Sequence, residues 1–407
     1  MITFEPSEEQ RLMRDSVAEL MRARVRPETR ATEASRSPSA SLAAAIAELG
    51  LGQLVVPEAL GGLGASFRTI VLVEEELGWA DAGVAFAVPG PGVFAHALAV
   101  FGDAAQNERW LAPYVTDANR VGAVAFSERT PNVATPGFVT RARRVGDDWV
   151  LDGKKSFVLN ADRAADFVVF AQTDEGRGWA GVDAFVVPRE TPGLTVGARH
   201  TTLGLDAASF GEVAFASVRV GAASRLHAVD PVLGMRRFFT RQSLHVAARA
   251  VGVARAAWEL ARNFAEDRKA FGKPIGHFQA IAFALADRLM DLDGARGLVW
   301  RAAWALDVAA ASNDEKAERV AEMHVAEAVA ESLEVVMRTT NDGVQIHGGA
   351  GFVRDYLVEK LMRDAKQLAL SAPSATTSDL RFATLALGAP LDPALVLPVP
   401  EIQPIFV

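Results

Sequence analysis

Trp149-Val150-Leu151-Asp152-Gly153-Lys154-Lys155-Ser156-Phe157-Val158-Leu159 is the stretch that decides the fold. From about Val121 apolar residues recur at every second position, the mark of strands with one buried face. Asp152-Gly153 tolerates the positive φ of a tight turn, so Trp149–Leu151 and Phe157–Leu159 are expected to form a hairpin around it. Phe167–Phe170, Ala184–Val187 and Val213–Val220 predict further strands. Their regular spacing predicts a small antiparallel β-domain over residues 121–229.

On both sides of this region the period is helical. Ser7 with Gln10 three residues later suits an N-cap and capping box, and Leu12, Val17, Leu20 and Met21 approximate one apolar face. Residues 1–120 therefore read as an all-α domain, interrupted by a Pro- and Gly-rich loop from Val55 to Gly64. After Asp230, three stripes step by three and four: Val251, Ala254, Trp258, Ala261, Ala265; Phe278, Ala282, Leu285, Leu289, Leu292; and Val325, Val329, Leu333, Val336. They predict a core-forming helical bundle over residues 230–385. Residues 386–407 form a Pro-rich tail. The fold class is α+β and mostly α.

Composition narrows the function. Among 407 residues half are apolar, which suits a folded protein with a substantial core. A net charge of -8 with scattered Lys and Arg argues against nucleic-acid binding. With no cysteine and no HxH or HExxH spacing, no metal site is expected. The acidic start and the prolines inside the longest uncharged run predict a cytoplasmic protein without membrane insertion.

Short tags then occur in a telling order: Val56-Pro57-Glu58 before Gly61-Gly62, Ser127-Glu128, Asp152-Gly153-Lys154-Lys155, Leu203-Gly204-Leu205, Arg268-Lys269-Ala270-Phe271-Gly272-Lys273 with Gln279, Gln345-Ile346-His347-Gly348-Gly349, and Arg363-Asp364-Ala365-Lys366. Together with the helical, β, helical order, they make the chain up to about residue 385 resemble the acyl-CoA dehydrogenase family.

The resemblance implies FAD as cofactor and an acyl-CoA or other acyl thioester as substrate, oxidised between its α and β carbons. It implies that Ser127 bonds the pyrimidine edge of the flavin, with Phe126 adding backbone contact, and that Phe157 packs beside the ring where the family usually has Trp. Arg268, Phe271, Gln279, Gln345, Gly348 and Gly349 are implied to reach the FAD of a neighbouring subunit. A guanidinium suits a pyrophosphate, and glycine permits close backbone approach. The implied assembly is a homotetramer or homodimer, with an electron-transferring flavoprotein or oxygen as acceptor.

The departures fall at the chemistry. The family's base, a Glu that takes the α-proton, corresponds to Ala372; the alternative position on the helix before Arg268 corresponds to Gln242, beside Ser243. A Thr that bonds flavin N5 corresponds to Leu159, and the family's Gly-Ser-Asp to Asn132-Val133-Ala134. His347 is a titratable group in the implied flavin loop, but no catalytic residue is assigned. Three activities follow: an atypical dehydrogenase, a subunit completing the flavin site of a Glu-bearing homologue in a hetero-oligomer, or a flavin monooxygenase or oxidase on the same scaffold.

Overall fold

The structure, a computed structural model, describes residues 5–129, 137–312 and 314–389. Asn132-Val133-Ala134 and the tail prolines from Pro390 onward lie outside the described residues. Helices α1 (Glu8–Leu20), α2 (Arg26–Ser35), α3 (Ala40–Glu48), α4 (Phe67–Ala87), α5 (Val93–Phe101) and α6 (Ala104–Thr116) come first. Ser7 caps α1: Gln10 N donates to its Oγ at 3.2 Å, and Ser7 N donates back to Gln10 Oε1. Val17 and Met21 are buried as expected, whereas Leu12 points to solvent.

The sheet comprises β1 (Val121–Ala125), β2 (Arg141–Val145), β3 (Asp148–Leu159), β4 (Ala164–Gln172), β5 (Val182–Pro188), β6 (Leu194–Val196), β7 (Phe210–Val220) and β8 (Arg225–Leu226), in the order β6-β7-β3-β2-β4-β5-β8. Its long pairings are antiparallel, with β1 added parallel to β4. The expected hairpin turn is displaced. β3 runs straight through Asp152-Gly153, and the chain reverses at Gly146-Asp147, where Gly146 has φ +65°. Gly153 serves a bulge instead: the register shifts beside it, and a Cβ there would stand 2.6 Å from Thr140 Cα.

The bundle is α7 (Pro231–Asp267), α8 (Gln279–Ser312), α9 (Glu315–His347), α10 (Val358–Leu368) and α11 (Ala375–Leu387); a two-stranded hairpin, β9 (Lys269–Ala270) and β10 (Lys273–Pro274), joins α7 to α8. The α7 and α9 stripes are core apart from Trp258, which is half-buried. The α8 stripe is core only from Leu292 onward. Along its first half Leu289, Phe283 and Met290 remain exposed, the last two by 62% and 65%, with no element among the described residues covering them.

Two glycines bring α4 and α7 into backbone contact. A Cβ on Gly78 would meet Arg249 O at 2.3 Å, and one on Gly252 would meet Glu75 O at 2.1 Å. That approach buries Glu74, Glu75 and Glu76 on α4, and buried carboxylates require partners. Arg255 of α7 bonds Glu75 at 2.9 Å and Glu76 at 2.8 Å, and Arg296 of α8 bonds Glu75 at 3.1 Å. Glu74 has different partners, which belong to the cavity.

Candidate active site

A cavity of about 760 Å³ opens between the N-terminal helices, the sheet and the bundle. Its sheet wall carries Phe126, Ser127, Phe157 and Leu159. Ser127 follows β1 and is held by Ser156 N, which donates to Ser127 O at 2.8 Å. The neighbouring carbonyl of Phe126 accepts from Lys155 Nζ at 3.2 Å; Lys155 also pairs with Glu128 at 2.8 Å and sits 3.7 Å from the centre of the Phe138 ring. Burial outweighs the Glu128 carboxylate and holds the Lys155 ammonium down at about 8. Burial opposes ionisation of Glu128, but Lys155 and the Thr140 N–H together leave its carboxyl lowered.

Phe157 reaches the cavity through strain. A register shift in β3 between Lys155 and Val158 coincides with φ +52° at Phe157, a conformation costly for a bulky residue. The result is an aromatic ring half in the open, 4.9 Å from His200, where an unbroken pleat would have alternated it across the sheet.

The bundle wall supplies Gln242 from α7 and Ser371-Ala372-Pro373 from the loop between α10 and α11. Both positions counted as empty of a base thus line one cavity. The wall where α4, α5 and α7 meet is charged, and sequence reasoning missed it. Glu74, buried on α4, accepts from His245 Nδ1 at 2.6 Å and from Arg249 through Nε at 2.5 Å and Nη2 at 2.7 Å. His245 Nε2 lies 2.8 Å from Nε2 of buried His96 on α5. Burial alone would raise the Glu74 carboxyl, but Arg249 and His245 outweigh it and hold it at about 2. Burial and then the charges of His245 and Arg241 push His96 well below the ordinary imidazole range. The only sequence trace of this cluster is a polar residue at single positions within apolar stripes, with Glu74 hidden in a run of three glutamates.

Arg268, Phe271, Gln279, Gln345, Gly348 and Gly349 do not line the cavity; all are exposed, Phe271 by 96%. Arg268 ends α7, Phe271 tips the β9–β10 hairpin with φ +51°, and Gln345 and Gly348 close α9. Stacking of Phe264 on His347 at 4.3 Å sets the ends of α7 and α9 side by side. His347 is outside the cavity, donates through Nδ1 to Gly343 O at 2.7 Å, and is pushed down by burial. It is not placed to act as a base there.

Comparison with known proteins decides the family. Models described as the N-terminal, middle and C-terminal domains of acyl-CoA dehydrogenase match residues 7–118, 123–218 and 234–372. A probable acyl-CoA dehydrogenase of Bacillus subtilis is 32% identical over 371 residues, 90% of this chain and 94% of the relative. The chain belongs to the acyl-CoA dehydrogenase family. The mitochondrial short-chain specific acyl-CoA dehydrogenase of Bos taurus is 36% identical over 78% of this chain and 76% of its own length. The structure of butyryl-CoA dehydrogenase from Megasphaera elsdenii superposes with a TM-score of 0.85 at 28% identity, covering 95% of this chain and 100% of that one.

Acyl-CoA dehydrogenases are FAD-dependent oxidoreductases. This chain's open surfaces fit such a group. Gly349 has no left-handed φ and nothing within 4 Å of a built Cβ, so neither backbone strain nor crowding inside the chain calls for a glycine there. The open space beside Gly349 leaves its backbone accessible to another molecule. Two other family tags prove structural. Gly204 packs where a Cβ would stand 2.5 Å from the Arg363 carbonyl, and Asp364 Oδ1 accepts from Leu205 N at 2.7 Å. Among the described residues no helix is long and apolar enough to cross a membrane.

Proposed function

We propose that this chain is an oligomeric, cytoplasmic FAD enzyme that oxidises an acyl thioester in the cavity by α,β-dehydrogenation or a variant of it, with no carboxylate at either usual base position. The observation that carries this reading is the pairing of walls: Phe126, Ser127 and Phe157 face the cavity from the sheet, with Gln242 and Ala372 lining it from the bundle. Bound FAD supplies a two-electron acceptor for the hydride leaving Cβ. Ser127 offers a hydroxyl to the ring edge, and Phe157 supplies a flat apolar wall.

Arg268, Phe271, Gln279, Gln345, Gly348 and Gly349 complete the cofactor site of a second copy in this reading. Their exposure at one end of the bundle supports it, as does the bare first half of α8. Glu74 is the one carboxylate lining the cavity among the described residues, and its oxygens already accept from His245 and Arg249. With Glu74 engaged, the Cα proton passes to water as the hydride leaves, without the general base whose contribution is on the order of 10²–10⁴-fold. Leu159, apolar in the cavity wall, favours oxygen rather than a flavoprotein as acceptor as the second reading.

Purified protein is expected to be yellow and to bleach anaerobically with an acyl-CoA. Colourless protein that takes up no FAD, or no bleaching across a broad thioester panel, contradicts the proposal. Oxygen consumption coupled to turnover without an added acceptor selects the second reading.

A further inference from the structure

The cavity does not end in hydrocarbon. Gln242, His245, Val246 and Arg249 follow one another at i, i+3, i+4 and i+7 on α7, and all four line it. At 1.5 Å rise per residue, Arg249 stands roughly 10 Å along the helix from the level of Gln242. The space therefore runs from the reacting end toward a charged cluster.

Within that cluster, hydrogen bonding leaves one strong donor free. Both ring nitrogens of His245 are engaged, Nδ1 with Glu74 and Nε2 with His96. Glu74 accepts on both oxygens. Arg249 uses Nε and Nη2 on Glu74, while its Nη1 has no partner among the described residues. The Arg249 guanidinium lies over Phe86, 4.3 Å from the ring centre, and Phe86 also lines the cavity. Glu75 and Glu76 make the contrast: their arginines tie α4 to α7 and α8, and neither carboxylate lines the cavity.

We propose that the acyl group of the substrate carries a hydrogen-bond-accepting polar group, a carboxylate or a ketone oxygen, that seats on Arg249 at the α4–α5–α7 end of the cavity. This rests on the thioester reading above. A plain alkyl chain would displace water from the guanidinium and return no hydrogen bond, and sites built around buried donors discriminate strongly against analogues lacking the matching group. The Glu74–His245–His96 chain acts here as a positioning device: Glu74 fixes the plane of the guanidinium with a two-point contact and the histidine pair fixes Glu74.

The test uses holoenzyme titrated with two matched thioester sets, reading flavin absorbance for binding and anaerobic bleaching for reaction. One set is pentanoyl-, 4-oxopentanoyl- and glutaryl-CoA; the other is octanoyl-, 7-oxooctanoyl- and suberyl-CoA. In at least one set a polar member is expected to bind or react about tenfold or more better than its alkyl isostere. The charge-neutral pair Glu74→Gln/Arg249→Met is expected to reverse that preference. Should it fail to fold, Arg249→Lys, which keeps the charge but loses the planar fork, is expected to weaken polar substrates alone. Alkyl members equal to or better than polar ones in both sets overturn the inference and leave the thioester reading standing. Failure of every thioester to perturb or bleach the flavin overturns both.

Discussion

Two buried charge clusters share helix α4, and they differ in what they leave unsatisfied. Asp81, at the kink of α4, meets Lys360 Nζ at 3.1 Å, and Lys360 also bonds Asp364 at 2.5 Å; all three are buried. The remaining oxygens are used by backbone: Asp81 Oδ1 accepts from Gly83 N and Val84 N, and Asp364 Oδ1 from Leu205 N. That cluster is sealed, and it ties α4, α10 and the loop after β6 together. Two turns earlier, Glu74, His245 and Arg249 are assembled with similar economy but open onto a cavity with a guanidinium nitrogen to spare. Satisfied buried charge holds a fold; partly unsatisfied charge beside a cavity points to a ligand.

The contrast can be broken at either end. The largest effect is expected in the cavity: Ala372→Glu returns a carboxylate to the cavity that Gln242 also lines and should raise the rate of flavin reduction by ordinary acyl-CoAs roughly a hundredfold or more, measured by anaerobic stopped flow. An unchanged rate would mean that the loop carries residue 372 away from the reacting carbons. In the sealed cluster, Lys360→Met strands two buried aspartates and should cost about 3–5 kcal/mol in denaturant unfolding. A loss below about 1 kcal/mol would show that the triad contributes little to stability.

Acid sharpens the comparison from the open side. The Glu74 carboxyl is lowered from its ordinary value to about 2 in the folded protein, so its contribution is fully present above the unfolded value and is lost as pH falls from about 4.5 toward 2. A shift of that size corresponds to roughly 3 kcal/mol. Glu74→Gln should flatten the acid limb of stability in that window; an unchanged limb contradicts the pairing. The smallest effect is at the strained ring: Phe157→Ala relieves little at φ +52° but removes the aromatic wall, and should weaken flavin binding several-fold, by about 0.5–1.5 kcal/mol. Unaltered retention of the flavin would place Phe157 off the ring.

Local signals were legible where a residue acts on its near neighbours. Ser7 and Gln10 specify the start of α1 by themselves, and the period-two run after Val121 specifies strands. Asp152-Gly153 misled because glycine's positive φ serves a bulge as well as a turn, and only the neighbouring strand, at Thr140, distinguishes them. The first half of α8 was read as core because periodicity reports an apolar face without reporting what covers it. The charged cavity end was illegible for a further reason. Glu74 and His245 are 171 residues apart, and their meeting depends on Gly78 and Gly252 letting α4 and α7 touch. Ala372 and Gln242 as paired vacancies in one wall were, by contrast, countable from the sequence, and the cavity brings them together.

Among the described residues the one carboxylate lining the cavity is held by His245 and Arg249, which leaves no free carboxylate to take an α-proton from an ordinary acyl-CoA. Incubating holoenzyme with octanoyl-CoA in deuterium oxide and following the α-carbon by mass spectrometry tests it directly. Wild type should incorporate no deuterium above the enzyme-free control, while Ala372→Glu should incorporate it readily. Rapid incorporation by the wild type would contradict the account, by showing that a working base faces the α-carbon.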